Sequence, residues 1–141
     1  MTRQEVEQLF GRRENALAHR DAVEFALLYA EDAILESPTA GGAVRGRAAI
    51  EAVARAWFNG FPDVIFTMDT LVTDGERGVW IGRTHGTDTG GFLGLAATNK
   101  PFELPIVIVC VFADGLIVHE RRIFDFTGML VQIGVLKTKP A

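Results

Sequence analysis

The amino-acid sequence predicts an α+β fold, in which three N-terminal helices pack on a curved, mainly antiparallel sheet that encloses a pocket. Apolar residues up to Asn59 recur at the three- and four-residue spacing of helices, whereas residues 64–126 form long strand-like segments between short turns. Strands joined by short turns usually pair with their neighbours along the chain. This separation of helices from strands is typical of the α+β class.

The first three helices are predicted from their apolar stripes and their caps. They cover residues 4–18, Ala22 to Tyr29 and Ala48 to Asn59. Arg13 falls on the apolar stripe of the first helix, so its side chain either extends past the helix edge to solvent or enters an internal cavity. Trp57 and Phe58 lie at the end of the third helix, where they either belong to the core or wall a flat, aromatic substrate pocket.

Residue alternation assigns the polar groups of the strands to faces of the sheet. The predicted strands are Ala33–Glu36, Val64–Thr73, Val79–Thr89, Leu104–Phe112 and Leu116–Phe126. A three-residue loop, 113–115, would pair Cys110 with Val118, Ile108 with Glu120 and Ile106 with Arg122. We expect Glu120 and Arg122 on the inner face together with Arg83 and His85. A two-residue loop would reverse the assignment of the last strand.

Composition excludes several classes of function. The 141 residues suffice for one domain, residues 1–141, and a net charge of −4 without a basic stripe argues against nucleic acid as a partner. Cys110 is the only cysteine, so an intramolecular disulfide is impossible. The longest apolar run is far shorter than the roughly 20 residues that span a bilayer. We therefore expect a soluble, cytoplasmic protein that does not engage membranes.

Several short segments spread over nearly the whole chain carry a family resemblance. They are Gly46-Arg47-Ala48-Ala49-Ile50, Phe61-Pro62-Asp63, Gly86-Thr87-Asp88-Thr89-Gly90 with Phe92-Leu93-Gly94, Asp114-Gly115-Leu116-Ile117, and Phe124-Asp125 with Gly128-Met129-Leu130-Val131-Gln132-Ile133-Gly134. Together they resemble the SnoaL-like polyketide cyclase family of the NTF2-like superfamily, which also holds ketosteroid isomerase and limonene epoxide hydrolase. The resemblance implies an NTF2-like cone, but this fold serves many unrelated functions.

The catalytic residues of these relatives are mostly not matched. The catalytic Asp of ketosteroid isomerase falls at Ser37, which cannot act as a carboxylate base. Limonene epoxide hydrolase resembles the chain at Arg83, but its two Asp partners fall at His85 and Arg122. The catalytic Asp of SnoaL-like cyclases aligns, within a few residues, to Arg122, and Asp125 is the nearest remaining carboxylate that could take its place. These departures argue against the first two mechanisms.

The predicted inner-face group suggests one constellation for acid/base chemistry. His85 would be the general acid/base, because its unperturbed pKa lies near neutral pH, and Glu120 would orient it. Arg83 or Arg122 would stabilise an enolate or phenolate oxygen. Alternatively, Arg83, Glu120 and Arg122 form a cross-strand ladder on a solvated or dimer-facing surface, and His85 merely packs there.

Asp125 also has two interpretations. Its carboxylate either abstracts a proton α to a carbonyl, as the resemblance implies, or caps a short terminal helix at residues 128–133. His19 and His119 have no metal-ligand spacing with His85, so no metal site is expected.

Two hypotheses for function follow. The first is a SnoaL-like acid/base enzyme, of the cyclase or isomerase type, that acts on a hydrophobic, carbonyl-bearing small molecule without a cofactor. The second is a non-catalytic small-molecule-binding or dimerisation module that keeps the cone. Under either hypothesis, we expect the exposed sheet face to be buried in a homodimer.

Overall fold

Residues 1–137, which the computed structural model describes, form four α-helices and six strands. In chain order these are α1 (Arg3–Ala18), α2 (Ala22–Ala26), β1 (Tyr29–Ser37), a 3₁₀ turn (Pro38–Ala40), β2 (Gly42–Arg45), α3 (Arg47–Gly60), β3 (Ile65–Asp74), β4 (Arg77–Thr87), β5 (Pro101–Ala113), β6 (Leu116–Ile123) and α4 (Phe126–Gln132). The predicted α+β class is confirmed. Strand β2 was not predicted.

The strands form one curved, open sheet in the order β2-β1-β6-β5-β4-β3. All neighbouring strands are antiparallel except β1 and β6, which are parallel. The inner face carries the apolar side chains of β5, among them Leu104, Ile106 and Ile108, and the helices cover it. None of the helices within residues 1–137 combines the length and the apolar character needed to cross a membrane.

Helix α2 is shorter than predicted. Asp21 caps it as expected by accepting a hydrogen bond from Glu24 N at 3.0 Å, but the helix ends at Ala26. Tyr29 instead begins β1, where it pairs with Ile117 of β6. Tertiary strand pairing therefore overrides the helical propensity of this segment.

The turn between β5 and β6 has two residues, so the predicted three-residue loop is wrong. Asp114 and Gly115 have φ angles of 52° and 77°, and both therefore adopt the left-handed conformation of a tight hairpin turn. Ala113 pairs with Leu116 across the turn. Glycine is suited to this conformation because it has no Cβ.

A β-bulge next to this turn compensates for the shorter loop. The register shifts between Val111 and Phe112, which leaves Val118 as an extra residue on β6. As a result Cys110 lies opposite Glu120. The predicted pairs are each wrong by two residues, and an even shift keeps Glu120 on the predicted inner face.

Candidate functional site

Glu120 is the centre of a buried ionic cluster on the inner face of the sheet. Its Oε2 atom lies 2.7 Å from Arg122 Nε and 3.4 Å from Arg13 Nη2. Tyr29 donates its hydroxyl hydrogen bond to Glu120 Oε1 at 2.5 Å. Glu120 is 0% exposed, so its carboxylate is enclosed by protein.

Three elements bring these side chains together. Strand β6 supplies Glu120 and Arg122, which share a face because they are two residues apart. Helix α1 directs Arg13 inward from its apolar stripe, and the guanidinium lies over the Phe25 ring at 5.0 Å from its centroid. Arg13 is 2% exposed, so the expectation that it reaches solvent is wrong and the internal alternative is correct.

The charges of the cluster are fixed near neutral pH. Burial raises the pKa of Glu120, but the charges of Arg13 and Arg122 and the hydrogen bonds from Tyr29 and Arg122 outweigh burial and lower this pKa to about 2. Burial and the Glu120 charge raise the pKa of Tyr29, so Tyr29 stays a neutral donor. Two guanidinium charges against one carboxylate leave one positive charge in excess.

Several buried polar atoms, two of them in Arg13 of this cluster, have no partner within residues 1–137. They are Arg13 Nε and Nη1, Thr84 Oγ1, Trp57 Nε1 and Asp88 Oδ1. Buried donors without acceptors are unfavourable, so such positions are where a bound water or a ligand oxygen fits. Thr84 lies on the inner face of β4 opposite Leu104 and Phe66.

Arg122 is the member of the cluster that reaches a surface cleft. The cleft has a volume of about 290 Å³ and opens where β1 and β6 end, and Ser37, Arg122 and Phe124 contribute to its lining. Arg122 Nε donates to Glu120, whereas Nη1 and Nη2 have no hydrogen-bond partner in the described part of the chain. The guanidinium can therefore donate hydrogen bonds from Nη1 or Nη2 to an oxygen atom of a ligand in this cleft.

Arg83 and His85 do not join the cluster, which corrects the predicted constellation. Both side chains are exposed on the outer face of β4, and Arg83 Nε pairs with Glu103 Oε1 at 3.2 Å. The opposite set of β4 residues faces inward because Trp80 belongs to the core. Glu120 therefore cannot orient His85. The alternative ladder of Arg83, Glu120 and Arg122 is wrong as well, because Arg83 lies on the surface with His85 whereas Glu120 and Arg122 are buried.

Asp125 occupies the N-cap of α4. Its Oδ1 atom accepts a hydrogen bond from Gly128 N at 2.8 Å, as the capping interpretation predicts. The carboxylate remains exposed and directly follows Phe124 of the cleft. Capping does not exclude a role in proton transfer, because Oδ2 has no hydrogen-bond partner within residues 1–137.

The aromatic residues of α3 lie in the core. Trp57 is surrounded by phenyl rings whose centroids lie 5.4 to 6.3 Å from its own, and these belong to Phe61, Phe66, Phe92, Phe102 and Phe124. Phe58 is buried as well, with Arg20 over its ring at 5.9 Å. This aromatic cluster packs α3 against β3, β5 and the segment that follows β6.

Tyr29 and Thr84 were missed by sequence reasoning. The single tyrosine of the chain was assigned to a helix end, and nothing in its neighbourhood signals a partner 91 residues away. The predicted inner position of Arg83 and His85 places Thr84, which lies between them, on the outer face. Among residues 1–137, no group of three or more His, Cys, Asp or Glu side chains is arranged to hold a metal ion.

Comparisons with known proteins agree with the fold. The sequence profile described as SnoaL-like polyketide cyclase matches residues 7–133. Among solved structures, TsrD from Streptomyces laurentii is similar at a TM-score of 0.85 and 24% identity, over 96% of this chain and 99% of TsrD. IdmH from Streptomyces antibioticus is similar at a TM-score of 0.75 and 26% identity, over 91% of this chain and 97% of IdmH.

A third similar structure is an NTF2-like protein from Burkholderia pseudomallei, at a TM-score of 0.79 and 21% identity, over 95% of this chain and 99% of that one. No curated protein matches the sequence. The curved sheet with helices on one face has the NTF2-like, ketosteroid isomerase-like fold of these similar structures. The chain belongs to the SnoaL-like polyketide cyclase family.

Proposed function

We propose that this protein is an acid/base enzyme of the cyclase or isomerase type, which acts on a hydrophobic, carbonyl-bearing small molecule in the cone. The observation that supports it best is Arg122, which is held at 2.7 Å by the buried Glu120 and also lines a surface cleft. A fixed cation beside a largely apolar interior is suited to stabilise an oxyanion, because no reorganisation is needed when the charge develops.

In the proposed reaction, Arg122 and Asp125 have complementary roles. The carboxylate of Asp125 accepts a proton from the carbon next to the substrate carbonyl. The electron pair of that C–H bond moves towards the carbonyl oxygen, where the guanidinium of Arg122 stabilises the negative charge. Glu120 is a positioning residue for Arg122, since a carboxylate with a pKa of about 2 is too weak a base for this step.

A non-catalytic binding module is the second candidate. It is favoured by the separation of the predicted acid/base set, because His85 lies on the outer face and Asp125 is occupied as a helix cap. In this candidate, the unpaired polar atoms of Arg13 and Thr84 donate hydrogen bonds to oxygen atoms of the ligand, and no proton is transferred.

Deuterium exchange at the α-carbon of 2-tetralone separates the two candidates. This flat aromatic ketone represents the proposed ligand class, and proton NMR in D₂O follows the loss of its α-protons. We expect the native protein to accelerate exchange, and Arg122→Gln and Asp125→Asn each to reduce the acceleration at least about tenfold. Asparagine also caps helices, so Asp125→Asn should keep the fold.

Arg83→Gln is the matched control, because Arg83 is an exposed arginine on the outer face of β4 and does not line the cleft. It should leave the exchange rate unchanged. Binding of 2-tetralone with exchange at the buffer rate would support the binding module. If Arg83→Gln reduced the rate as much as Arg122→Gln, the role of Arg122 would be wrong.

We also propose that the outer face of the sheet binds a second copy of this chain. Apolar side chains that are 37 to 52% exposed lie on this face, namely Ile65, Val72, Ile81 and Ile123. Contiguous exposed apolar surface of this kind usually marks a contact site. The two-fold symmetry of a homodimer would bury the same patch on both copies.

Light scattering at micromolar concentration tests this homodimer. We expect a dimer mass for the native protein and a monomer mass for Ile81→Lys, which places a charge within the patch. Val23→Lys is the control, because Val23 is similarly exposed but lies on α2. A monomer mass for the native protein would contradict the proposal.

A further inference from the structure

The cleft lined by Arg122 also receives the side chain of its neighbour, Arg121. Adjacent residues of a strand point to opposite faces of a sheet, so two neighbours seldom reach the same site. Here the parallel strands β1 and β6 pair Glu36 with Arg121, close to the points where β1 ends at Ser37 and β6 ends at Ile123. Because the cleft opens at this edge, side chains from both faces of the sheet line it.

Arg121 is fixed on one side and accessible on the other. Its Nε atom lies 3.1 Å from Glu36 Oε2, and the same oxygen lies 2.6 Å from His119 Nε2. The side chain of Arg121 is 58% exposed, and its Nη1 and Nη2 atoms donate no hydrogen bond within residues 1–137. The guanidinium therefore keeps its two terminal nitrogens for a ligand, in the planar arrangement that matches a carboxylate.

The charges at the cleft favour a ligand with one negative charge. Arg121 is paired with Glu36, and Arg122 is paired with Glu120, which also binds Arg13. Three guanidinium groups therefore face two carboxylates, and one positive charge is in excess when the histidine beside Glu36 is neutral. A ligand carboxylate balances this charge, whereas a phosphate dianion would leave a negative charge in excess.

The two arginines are suited to different groups of one ligand. Arg122 is 8% exposed and is held by a buried carboxylate, so it is suited to an oxyanion that develops only during the reaction. Arg121 is exposed to water, which screens its charge, and it is suited to a group that is already charged in the free substrate. The cleft, at about 290 Å³, is at the lower end of the usual volumes of ligand sites, so both groups must lie close together in the ligand.

We propose that Arg121 is a specificity-determining residue, which selects substrates that carry a carboxylate close to the ketone. This inference rests on the proposed function, because that function assigns the ketone oxygen to Arg122. It narrows the substrate class from hydrophobic carbonyl compounds to keto acids with an apolar frame. In such a complex, Nη1 and Nη2 of Arg121 donate hydrogen bonds to the carboxylate, and Arg122 donates to the ketone oxygen.

Two probes that differ mainly in charge test this selection. 4-Oxo-4-phenylbutanoate is a flat aromatic ketone with a carboxylate, and its methyl ester has the same frame without the charge. By equilibrium dialysis at neutral pH, we expect the native protein to bind the acid about tenfold more tightly than the ester. Tenfold is the lower end of the range for a hydrogen bond to a charged group, because Arg121 is exposed. Binding by apolar contact alone would favour the ester.

Two arginine variants test whether Arg121 makes the distinction. Arg121→Gln should weaken binding of the acid about tenfold, which brings the ratio to about one, and it should bind the ester like the native protein. Arg83→Gln is the control, because Arg83 is a similarly exposed arginine that is paired with a glutamate but lies outside the cleft. It should keep the preference for the acid. Both side chains lie at the surface, so we expect both variants to fold.

The proposal is overturned if neither probe binds, if the native protein does not prefer the acid, or if Arg121→Gln keeps the preference. It is also overturned if Arg83→Gln loses the preference to the same extent, because the total charge of the protein would then be the cause.

Exchange of the α-protons of the acid in D₂O, followed by proton NMR, separates this inference from the proposed function. Arg121-dependent binding of the acid without accelerated exchange would support the carboxylate selection and contradict the catalysis. Accelerated exchange of 2-tetralone, with no preference between the acid and the ester, would support the catalysis and overturn the carboxylate selection.

Discussion

Two ionic clusters on opposite faces of the sheet have nearly the same composition and different environments. Glu120 lies on the inner face, between Arg122 and an arginine of α1, and it is 0% exposed. Glu36 lies on the outer face, 2.6 Å from His119 Nε2 and 3.1 Å from Arg121 Nε, and its side chain is 35% exposed. Each cluster places one carboxylate between two basic groups.

The difference shows that burial, and not residue type, decides what such a cluster does. Water screens the outer charges and can replace any partner that is removed. The inner charges have only one another, so removal of one leaves the others uncompensated in a medium of low polarity. We therefore expect the inner cluster to control stability and the position of Arg122, and the outer cluster to contribute little.

Replacement of Glu120 should have the largest effect on stability. Glu120→Gln keeps the shape of the side chain but leaves Arg13 and Arg122 without a counter-charge. We expect the free energy of unfolding to fall by about 3–5 kcal/mol, as is usual for a broken buried pair. Urea unfolding, followed by circular dichroism, measures this free energy. A decrease in unfolding free energy below about 1 kcal/mol would mean that the cluster is solvated.

The inner cluster should also make stability depend on acid pH. The pKa of Glu120 is lowered in the folded state from 4.5 to about 2, so its contribution is complete above pH 4.5 and is lost as the pH falls towards 2. That contribution amounts to roughly 3 kcal/mol at 1.4 kcal/mol per pKa unit.

Other carboxylates titrate in the same range, including Glu36, whose pKa is lowered by hydrogen bonds from His119 and Arg121. The difference in unfolding free energy between the native protein and Glu120→Gln therefore isolates the cluster. We expect this difference to shrink between pH 4.5 and pH 2. A difference that stayed constant over this range would contradict the assignment.

Removal of the cap of α4 should have an intermediate effect. Asp125→Ala leaves Gly128 N without its acceptor, so we expect a loss of about 1 kcal/mol in unfolding free energy. Asp125→Asn retains a capping oxygen and should change stability much less. If both variants were equally destabilised, charge rather than capping would be the stabilising factor.

Replacement of Glu36 should have the smallest effect. Glu36→Gln breaks the outer cluster, but solvent reaches all three of its side chains. We expect no measurable change in the urea midpoint at physiological salt, because exposed ion pairs are screened. A decrease in stability as large as that of Glu120→Gln would contradict the claim that burial makes the two clusters different.

The order of helices and strands followed from periodicity, but the face of each strand did not. Alternation divides β4 into two sets without indicating which one is buried, and the set with Arg83 and His85 was placed inside. The other set faces the core, because it contains Trp80, the largest side chain of β4, which is buried. The size of the apolar residues in each set is the sequence signal that indicates which set is buried.

The inner cluster was only partly predictable for a different reason. Glu120 and Arg122 were placed on the correct face although the loop length was wrong, because the bulge at Val118 restores the face. The contacts of Glu120 with Arg13 and Tyr29 join residues 107 and 91 positions apart. Local sequence patterns contain no information on such contacts, which depend on how α1 and β1 pack on the sheet.

The central claim is that Arg122 presents its charge to a ligand in the surface cleft where β1 and β6 end. The most direct measurement is the binding of 4-nitrophenolate, a flat aromatic oxyanion, to the native protein, Arg122→Gln and Arg83→Gln, whose exposed arginine lies outside the cleft. We predict that Arg122→Gln binds about 10- to 100-fold more weakly than the native protein, the usual range for a hydrogen bond to a charged group, whereas Arg83→Gln binds as tightly as the native protein. Equal affinities for all three folded proteins would contradict the claim.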